Sequence, residues 1–295
     1  MGKGIIYVLL FGYALLDAQT VVNGATEGVQ LALFAVLPSL FPFIFLSIMC
    51  SQSISGRRFF FLKPLEKLCG MPLGSGNILL LGLCGGYPVG AQCVTNAYKQ
   101  GAISKKDAER LLGFCNNAGP SFIFGMVGAI LKDFRLCWLL WFGQIVSAIT
   151  VGAIMPNKSK SLCPAQGGNS LSITKALEST LKICGKIAGW VVLFRVTLSV
   201  TDKWILHRLT PIWSGAFSGA LELSNGCIRM QYVSNPMVRF LLCGAILSFG
   251  GFCVYLQTKS VVQTLSTRYY LYGKVLQTVL ILPILCFLWK LTVAF

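Results

Sequence analysis

The chain has 295 residues, of which 55% are hydrophobic and 12% are charged, and its mean hydropathy is +0.72. This composition excludes a soluble globular protein and is typical of a polytopic membrane protein. The net charge of +16, from 25 Lys and Arg against 9 Asp and Glu, is interpreted as basic residues in cytoplasmic loops rather than as a nucleic-acid surface.

Residue types that build metal and catalytic sites are scattered. Twelve Cys lie without a C-x-x-C pair, and His207 is the single histidine. The cysteines are interpreted as small apolar filler rather than as disulfides or metal ligands. The sequence contains no base with a nearby partner, no clustered carboxylate pair and no phosphate-binding loop, so we expect no enzyme activity, no metal and no cofactor.

The N-terminal part predicts two helices and an interface segment. A retained first helix covers about 5–22, and a link over 23–30 without basic residues leads into a second span over 31–50 that contains two prolines. Basic residues alternate with Phe and Leu over 56–70. This alternation is typical of a helix lying in the membrane interface.

Residues 76–125 contain two interruptions of apolar sequence. The segment Gly85–Gly90 is flanked by two arms of about 8 to 12 residues, whereas a membrane span needs ~20, so the arms predict a re-entrant hairpin. The apolar stretch that follows is broken at Asn116–Pro120. Interrupted backbone at membrane depth is tolerated only where protein or a water-filled cavity satisfies it. The two interruptions therefore predict the floor of a solute site.

The rest of the first half leads to a linker. A loop over 132–135 precedes a span over 136–155, and the Gly-, Ser- and Pro-rich stretch 156–170 is interpreted as a cytoplasmic linker. The chain is thus divided into an N-terminal membrane half (1–155), the linker (156–170) and a C-terminal membrane half (171–295).

The second half repeats the plan of the first. In order, it predicts a span over 183–200, an amphipathic segment over 202–209, a hairpin over 212–230, a broken span over 240–257 and a last helix over 274–293. With a cytoplasmic N-terminus the two hairpins enter from opposite sides, which is the inverted repeat of many secondary transporters. The predicted fold is an all-α polytopic membrane protein, an inverted repeat with two re-entrant hairpins and two broken transmembrane helices.

The distribution of basic residues agrees with a cytoplasmic N-terminus. Most of the 25 Lys and Arg fall in segments that this scheme places inside, including Lys259, Arg268 and Lys274.

Polar residues in the apolar stretches are the candidate site residues. Glu222 is the strongest, because a carboxylate at membrane depth is costly and usually serves a ligand, a proton or an ion pathway. The alternative is an internal pairing with Arg195, and the two roles are compatible. Asn116 and Asn117 can donate and accept hydrogen bonds at once, although a purely structural helix break explains them nearly as well.

The remaining candidates leave similar alternatives open. Gln92 and Asn96 lie one helical turn apart, and they suit either a solute contact or a bond between helices. Tyr87 suits a turn or stacking on a base. The candidate substrate-binding residues are Gly86, Tyr87, Gln92, Asn96, Asn116, Asn117, Glu222, Ser224, Asn225, Gly250, Gly251 and Gln257, with Glu222 also the candidate group for the coupling ion.

Five stretches carry a family resemblance: LPSLFPF, GLCGGYPVGAQ, YKQGAISKKDAERLLGFCNNAGP, GALELSNG and SFGGFCVYLQ. Together they resemble YlbJ-like sporulation integral membrane proteins and, more broadly, the nucleoside-recognition (Gate) domain family, which is related to concentrative nucleoside transporters. The resemblance covers roughly 35–290 and implies a solute held between two hairpin tips and two broken helices, at 85–92, 116–120, 222–225 and 249–257. The chain departs from those transporters at the first tip, where they carry a polar Gln-Thr-Glu-type triplet, and it lacks an obvious sodium-site pattern.

Two functions remain open at the level of sequence. The first is a secondary transporter of a small polar solute, with nucleosides as one candidate class, coupled to protons or sodium by alternating access. The alternative is a non-transporting membrane factor needed for sporulation, spore cortex or envelope assembly. Both place the chain in the plasma membrane, in contact with the lipid bilayer and without nucleic acid, and both are compatible with a homo-oligomer.

Overall fold

The computed structural model describes residues 2–54, 59–155 and 172–293. Regular secondary structure in these ranges is α-helix with short 3-10 and π-helical turns, and no β-strand occurs there. The predicted linker over 156–170 and the start of the predicted interface segment, residues 56–58, lie outside the described residues.

Ten helices make up the described N-terminal half. A π-helical turn, Ala32–Val36, joins the second helix to the third, and another, Ile123–Val127, joins the eighth to the ninth. The helices are α1 (Gly2–Leu16), α2 (Ala18–Leu31), α3 (Leu37–Ile54), α4 (Lys63–Leu68), α5 (Gly76–Gly85), α6 (Val89–Lys99), α7 (Lys105–Cys115), α8 (Pro120–Phe122), α9 (Gly128–Leu131) and α10 (Phe134–Ile154).

Six helices make up the described C-terminal half. They are α11 (Ile173–Trp204), α12 (Pro211–Leu221), α13 (Leu223–Arg229), α14 (Pro236–Phe249), α15 (Gly251–Val262) and α16 (Arg268–Val293). The predicted interface segment over 202–209 is not a separate α-helix: α11 continues to Trp204, and a single 3-10 turn, Leu206–Arg208, follows.

The described residues include six helical segments that are long and apolar enough to cross a membrane. A span needs ~20 apolar residues, and each of the six reaches that length. The chain is therefore a multi-pass, all-helical membrane protein. The segments are Ala18–Cys50, Lys105–Leu131, Phe134–Ile154, Ile173–Trp204, Pro236–Val262 and Arg268–Thr292.

The predicted boundary between the first two helices is wrong. The first helix ends at Leu16, and the predicted link over 23–30 is helical and belongs to α2. Packing explains the difference, because a Cβ added to Gly24 would lie 2.7 Å from the Ser199 hydroxyl, and one added to Gly28 would lie 2.8 Å from the Cα of Val192. Small residues four positions apart let two membrane helices approach closely. Gly24 and Gly28 thus allow α2 to pack against α11, although the sequence of α2 is polar.

Each half contains a tight helical hairpin. Residues 86–88 join α5 to α6, and Glu222 alone joins α12 to α13. Glycines allow both pairs of arms to pack: a Cβ on Gly82 of α5 would lie 3.2 Å from the Cα of Gly90 on α6, and one on Gly226 would overlap Gly219. The arms are shorter than a span, α5 with 10 residues and α13 with 7.

Each half also contains one interrupted helix, at the predicted place. Residues 116–119 separate α7 from α8 without helical structure. In the second half Gly250 and Gly251 both have positive φ, +78° and +74°, a backbone region that glycine reaches without strain. The sequence patterns Asn-Asn-Ala-Gly-Pro and Gly-Gly therefore mark true breaks, and they carry Asn116, Asn117, Gly250 and Gly251 into the interior.

Candidate functional site

A cavity lies where the hairpin tips and the helix breaks converge. Four lining residues mark these elements: Tyr87 belongs to the tip of the first hairpin, Glu222 forms the tip of the second, Gly119 belongs to the first break, and Gln257 lies on α15. Val36, Leu40, Ile187 and Val191 supply an apolar wall from the α3 and α11 side. The lining thus includes residues from all four segments between which a solute was predicted to sit, although the second break itself, Gly250 and Gly251, lies behind the lining.

The cavity is narrow. The centre of a water molecule can move through only about 30 Å³ of it. One water needs roughly 10–15 Å³ by that measure, so the cavity holds on the order of two waters. A nucleoside-sized solute does not fit in a cavity of this volume.

Glu222 caps the helix that it begins. It is 1% exposed, and its carboxylate accepts hydrogen bonds from the backbone N–H groups of Ser224 at 3.0 Å and Asn225 at 2.8 Å. The Asn225 side-chain amide donates to it as well, at 2.8 Å. A side-chain oxygen that satisfies the first N–H groups of a helix is an N-cap, so the carboxylate fixes the geometry of the second hairpin tip.

Asn225 connects Glu222 to an ion pair on the α2–α11 surface. Arg195 on α11 donates to the side-chain oxygen of Asn225 at 3.3 Å and to the carboxylate of Glu27 on α2. Glu222 and Arg195 are therefore linked through Asn225 rather than paired directly. Sequence reasoning missed Glu27, although the pattern Gly24-Ala-Thr-Glu-Gly28 is a small-xxx-small motif that predicts a close helix crossing beside it.

Asn116 joins three elements inside the molecule. Its side-chain oxygen accepts from the backbone N–H of Ala91 in the first hairpin at 3.2 Å, and its amide donates to the hydroxyl of Thr258 on α15 at 3.0 Å. The residue is fully buried. Both ends of the amide are thus used to hold the first break against α6 and α15.

Asn117 binds a buried lysine that was not among the candidates. Its amide donates to the Phe114 carbonyl at 2.7 Å, which turns its oxygen toward the ammonium group of Lys274, 2.8 Å away. Lys274 also donates to the side-chain oxygen of Gln277 at 2.8 Å. Lys274 is 1% exposed, so counting it as a loop charge was wrong.

Lys274 lies in a polar network that crosses the helix core. Gln277 donates to the side-chain oxygen of Gln144 on α10 at 3.2 Å, and Gln144 donates to the Ser248 hydroxyl on α14 at 3.0 Å. The Lys274 ammonium is 5.3 Å from the centre of the Tyr87 ring, where the ring quadrupole favours a cation. A signal was available, because Lys274 and Gln277 are polar residues three positions apart in an apolar helix.

The glycines at the tips and breaks permit close backbone approach. Gly86 has φ +75°, and a Cβ on it would lie 2.8 Å from the Gly119 nitrogen at the first break. A Cβ on Gly251 would lie 3.1 Å from the Leu221 carbonyl oxygen, next to the second tip. Tyr87 crosses between the halves, since its hydroxyl donates to the Leu247 carbonyl at 3.2 Å, one turn before Gly250.

The candidate residues divide into three groups. Tyr87, Glu222, Ser224 and Gln257 line the cavity. Gln92 on α6 is half-buried and Asn96 is exposed, and the structure brings neither to the cavity lining. The others lie behind the lining, where they shape the tips and breaks: Gly86, Asn116, Asn117, Asn225, Gly250 and Gly251.

The arrangement defines a multi-pass membrane protein with a narrow cavity between two hairpins and two interrupted helices. Along its length the chain is similar to the sporulation integral membrane protein YlbJ of Bacillus subtilis (strain 168), with 23% identity over 336 residues, which cover 96% of this chain and 81% of the relative. No protein-family model matches the chain. No solved structure matches it either.

Proposed function

We propose that this chain is an integral membrane protein that acts in sporulation, as the name of the B. subtilis relative states for that protein. The observation that carries this proposal is the extent of the similarity, which covers 96% of the chain. Both halves of the chain are therefore part of the match. In the non-transporting form of this role, the helical scaffold supports assembly of the spore cortex or envelope from the plasma membrane.

Deletion of the gene in the organism that encodes it tests this role. We expect a large drop in heat-resistant spores, restored by the wild-type chain. A deletion strain that forms spores at the wild-type frequency would contradict the proposal. An Asn96→Leu variant should also restore heat-resistant spores, because Asn96 lies on the exposed face of α6 and not in the cavity lining. It is the matched control for variants of cavity residues.

A second function, a secondary transporter of a small polar solute, is favoured by the cavity itself. A buried carboxylate, a tyrosine and a glutamine line a narrow space formed by two hairpin tips, the first helix break and α15. Discontinuous helices of this kind build the midplane sites of transporters. Nucleosides are the solute class that the Gate-family resemblance implies, and Glu222 is the group we propose for coupling to protons or sodium.

We further propose that the two halves form an inverted repeat with re-entrant hairpins and a cytoplasmic N-terminus. Each half runs hairpin, interrupted helix, span. In each, the hairpin tip approaches the break of its own half, Gly86 against Gly119 and Leu221 against Gly251. The spans α10 and α16 meet through Gln144 and Gln277 at 3.2 Å. Equivalent contacts in both halves are what an inverted repeat requires.

Solute uptake separates the two functions. The purified chain in sealed vesicles is offered nucleosides, nucleobases and small carboxylates, with and without a proton or sodium gradient. Saturable uptake that Glu222→Gln abolishes supports the transporter. No uptake of any class, combined with the loss of spores on deletion, supports the non-transporting role instead.

A further inference from the structure

One face of α2 carries a stripe of exposed polar side chains. Buried Gly24 and Gly28 turn the opposite face toward α11. At 100° per residue the polar positions fall within one arc of the helix, whereas Val22 and Val29, 58% and 45% exposed, occupy the neighbouring arc. The stripe consists of Gln19, Asn23, Thr26, Glu27 and Gln30, all exposed.

The stripe lies at membrane depth. At one end of the α2–α11 pair, Asp17 bonds Lys203 at 2.8 Å and the Trp204 indole donates to Tyr13 at 3.1 Å, which are residue types of the membrane–water interface. Glu27 is ten residues further along, or about 15 Å at 1.5 Å per residue. The hydrocarbon core is ~30 Å thick, so the stripe runs from the interface to about its middle.

Lipid leaves these groups unsatisfied. Two described hydrogen bonds link them locally, from the Gln19 amide to Asn23 at 2.9 Å and from the Thr26 hydroxyl to the Val22 carbonyl at 2.9 Å. Glu27 is paired with Arg195 within the chain. The other donor and acceptor groups of the exposed amides Gln19, Asn23 and Gln30 face away from the protomer. Polar side chains on a membrane helix generally face protein or water.

We propose that this stripe is the surface on which a second copy of this chain binds in the membrane. Amides and hydroxyls both donate and accept, so the stripe is complementary to itself, and hydrogen bonds of this type hold membrane helices together. The charge of Glu27 is neutralised inside the protomer, which leaves nothing to attract a partner of opposite charge. A two-fold axis along the membrane normal brings equal depths of the two stripes together.

Photocrosslinking with matched neighbours tests the proposal. Benzoylphenylalanine replaces Asn23 or its neighbour Val22, and Gln30 or its neighbour Val29, in the full chain in native membranes. Each pair differs by about 1.5 Å in depth and by about 100° around the helix. We expect a product of twice the 32.1 kDa chain mass from Asn23 and Gln30 and none from the valines. Equal yields at both members of a pair, no product from Asn23 and Gln30, or a product of another mass would overturn the proposal.

A substitution gives an independent measure. Asn23→Leu removes an interfacial hydrogen bond, and such bonds in membranes change association by about three- to fifteenfold. The association constant, obtained from the dimer fraction in detergent at several protein concentrations, should fall by that factor, and Val22→Leu should leave it unchanged. A dimer fraction in Asn23→Leu equal to that of the wild type would refute the stripe as the interface.

Discussion

Replacing Glu222 by Gln removes the charge that caps α13 without changing the size of the side chain. In the wild-type protein one carboxylate oxygen accepts from Ser224 and the other accepts twice from Asn225. A glutamine has one oxygen and one amide nitrogen that only donates. In either orientation its nitrogen faces at least one backbone N–H group, so at least one buried donor loses its partner.

The expected cost follows from these three bonds. A hydrogen bond to a charged group contributes about 1.5–3 kcal/mol, and a neutral one about 1 kcal/mol. Glu222→Gln loses one charged bond and turns the remaining bonds into neutral ones. We therefore expect the free energy of unfolding to fall by at least about 2.5 kcal/mol.

Reversible unfolding in mixed micelles, followed by circular dichroism as the mole fraction of dodecyl sulfate rises, measures this loss. Glu178→Gln is the matched control, since Glu178 pairs with Lys182 on the surface of α11 with both side chains more than half exposed. That change should cost less than about 1 kcal/mol. If Glu222→Gln were as stable as the control, the capping geometry would not hold α13, and the argument from the three bonds would fail.

Two further substitutions test the buried contacts in the same unfolding assay. Asn117→Leu takes a charge-assisted bond from buried Lys274 and should cost about 1.5–3 kcal/mol, so an unchanged free energy would contradict the burial of that ammonium group. Gly86→Ala should cost clearly more than Gly101→Ala, because both glycines have positive φ but only a Cβ on Gly86 meets a neighbour, the Gly119 nitrogen. Equal costs would mean that the first tip does not press against the first break.

The breaks and hairpins could be predicted because their signals are local. Glycine at positive φ and proline at the start of a helix act through their own backbone, as at Gly86, Gly250 and Pro120. An apolar arm next to such a residue is too short to span the membrane, so the chain is expected to turn there. These features depend on a few neighbouring residues, and the sequence contains them all.

Burial of charged residues could not be predicted in the same way. Lys274 follows a polar loop and resembles an interface residue, yet it is enclosed because Asn117, 157 positions earlier, reaches it. Glu27 resembled part of a link until packing against α11 made that segment helical. Both outcomes depend on contacts between distant parts of the chain. The local signals, the Lys274–Gln277 spacing and the Gly24–Gly28 motif, do not identify the distant partner.

The hydrogen bonds of the cavity residues also decide where a solute can bind. Asn116 and Asn117 use both ends of their amides within the protein, so their loss should impair folding before it impairs binding. Gln257 lines the cavity, and its described side-chain bond is a donation to the sulfur of Cys253 at 3.2 Å, a weak acceptor.

Gln257 is therefore the amide that can exchange its partner for a solute at the lowest cost. In the transporter role proposed above, Gln257→Leu should abolish saturable solute uptake while the free energy of unfolding changes by less than about 1 kcal/mol. Asn116→Leu should instead lose about 2–4 kcal/mol, because two buried partners on α6 and α15 lose their bonds. Full uptake by Gln257→Leu would remove this amide from the site, and with it the main polar contact that the narrow cavity offers to a neutral solute.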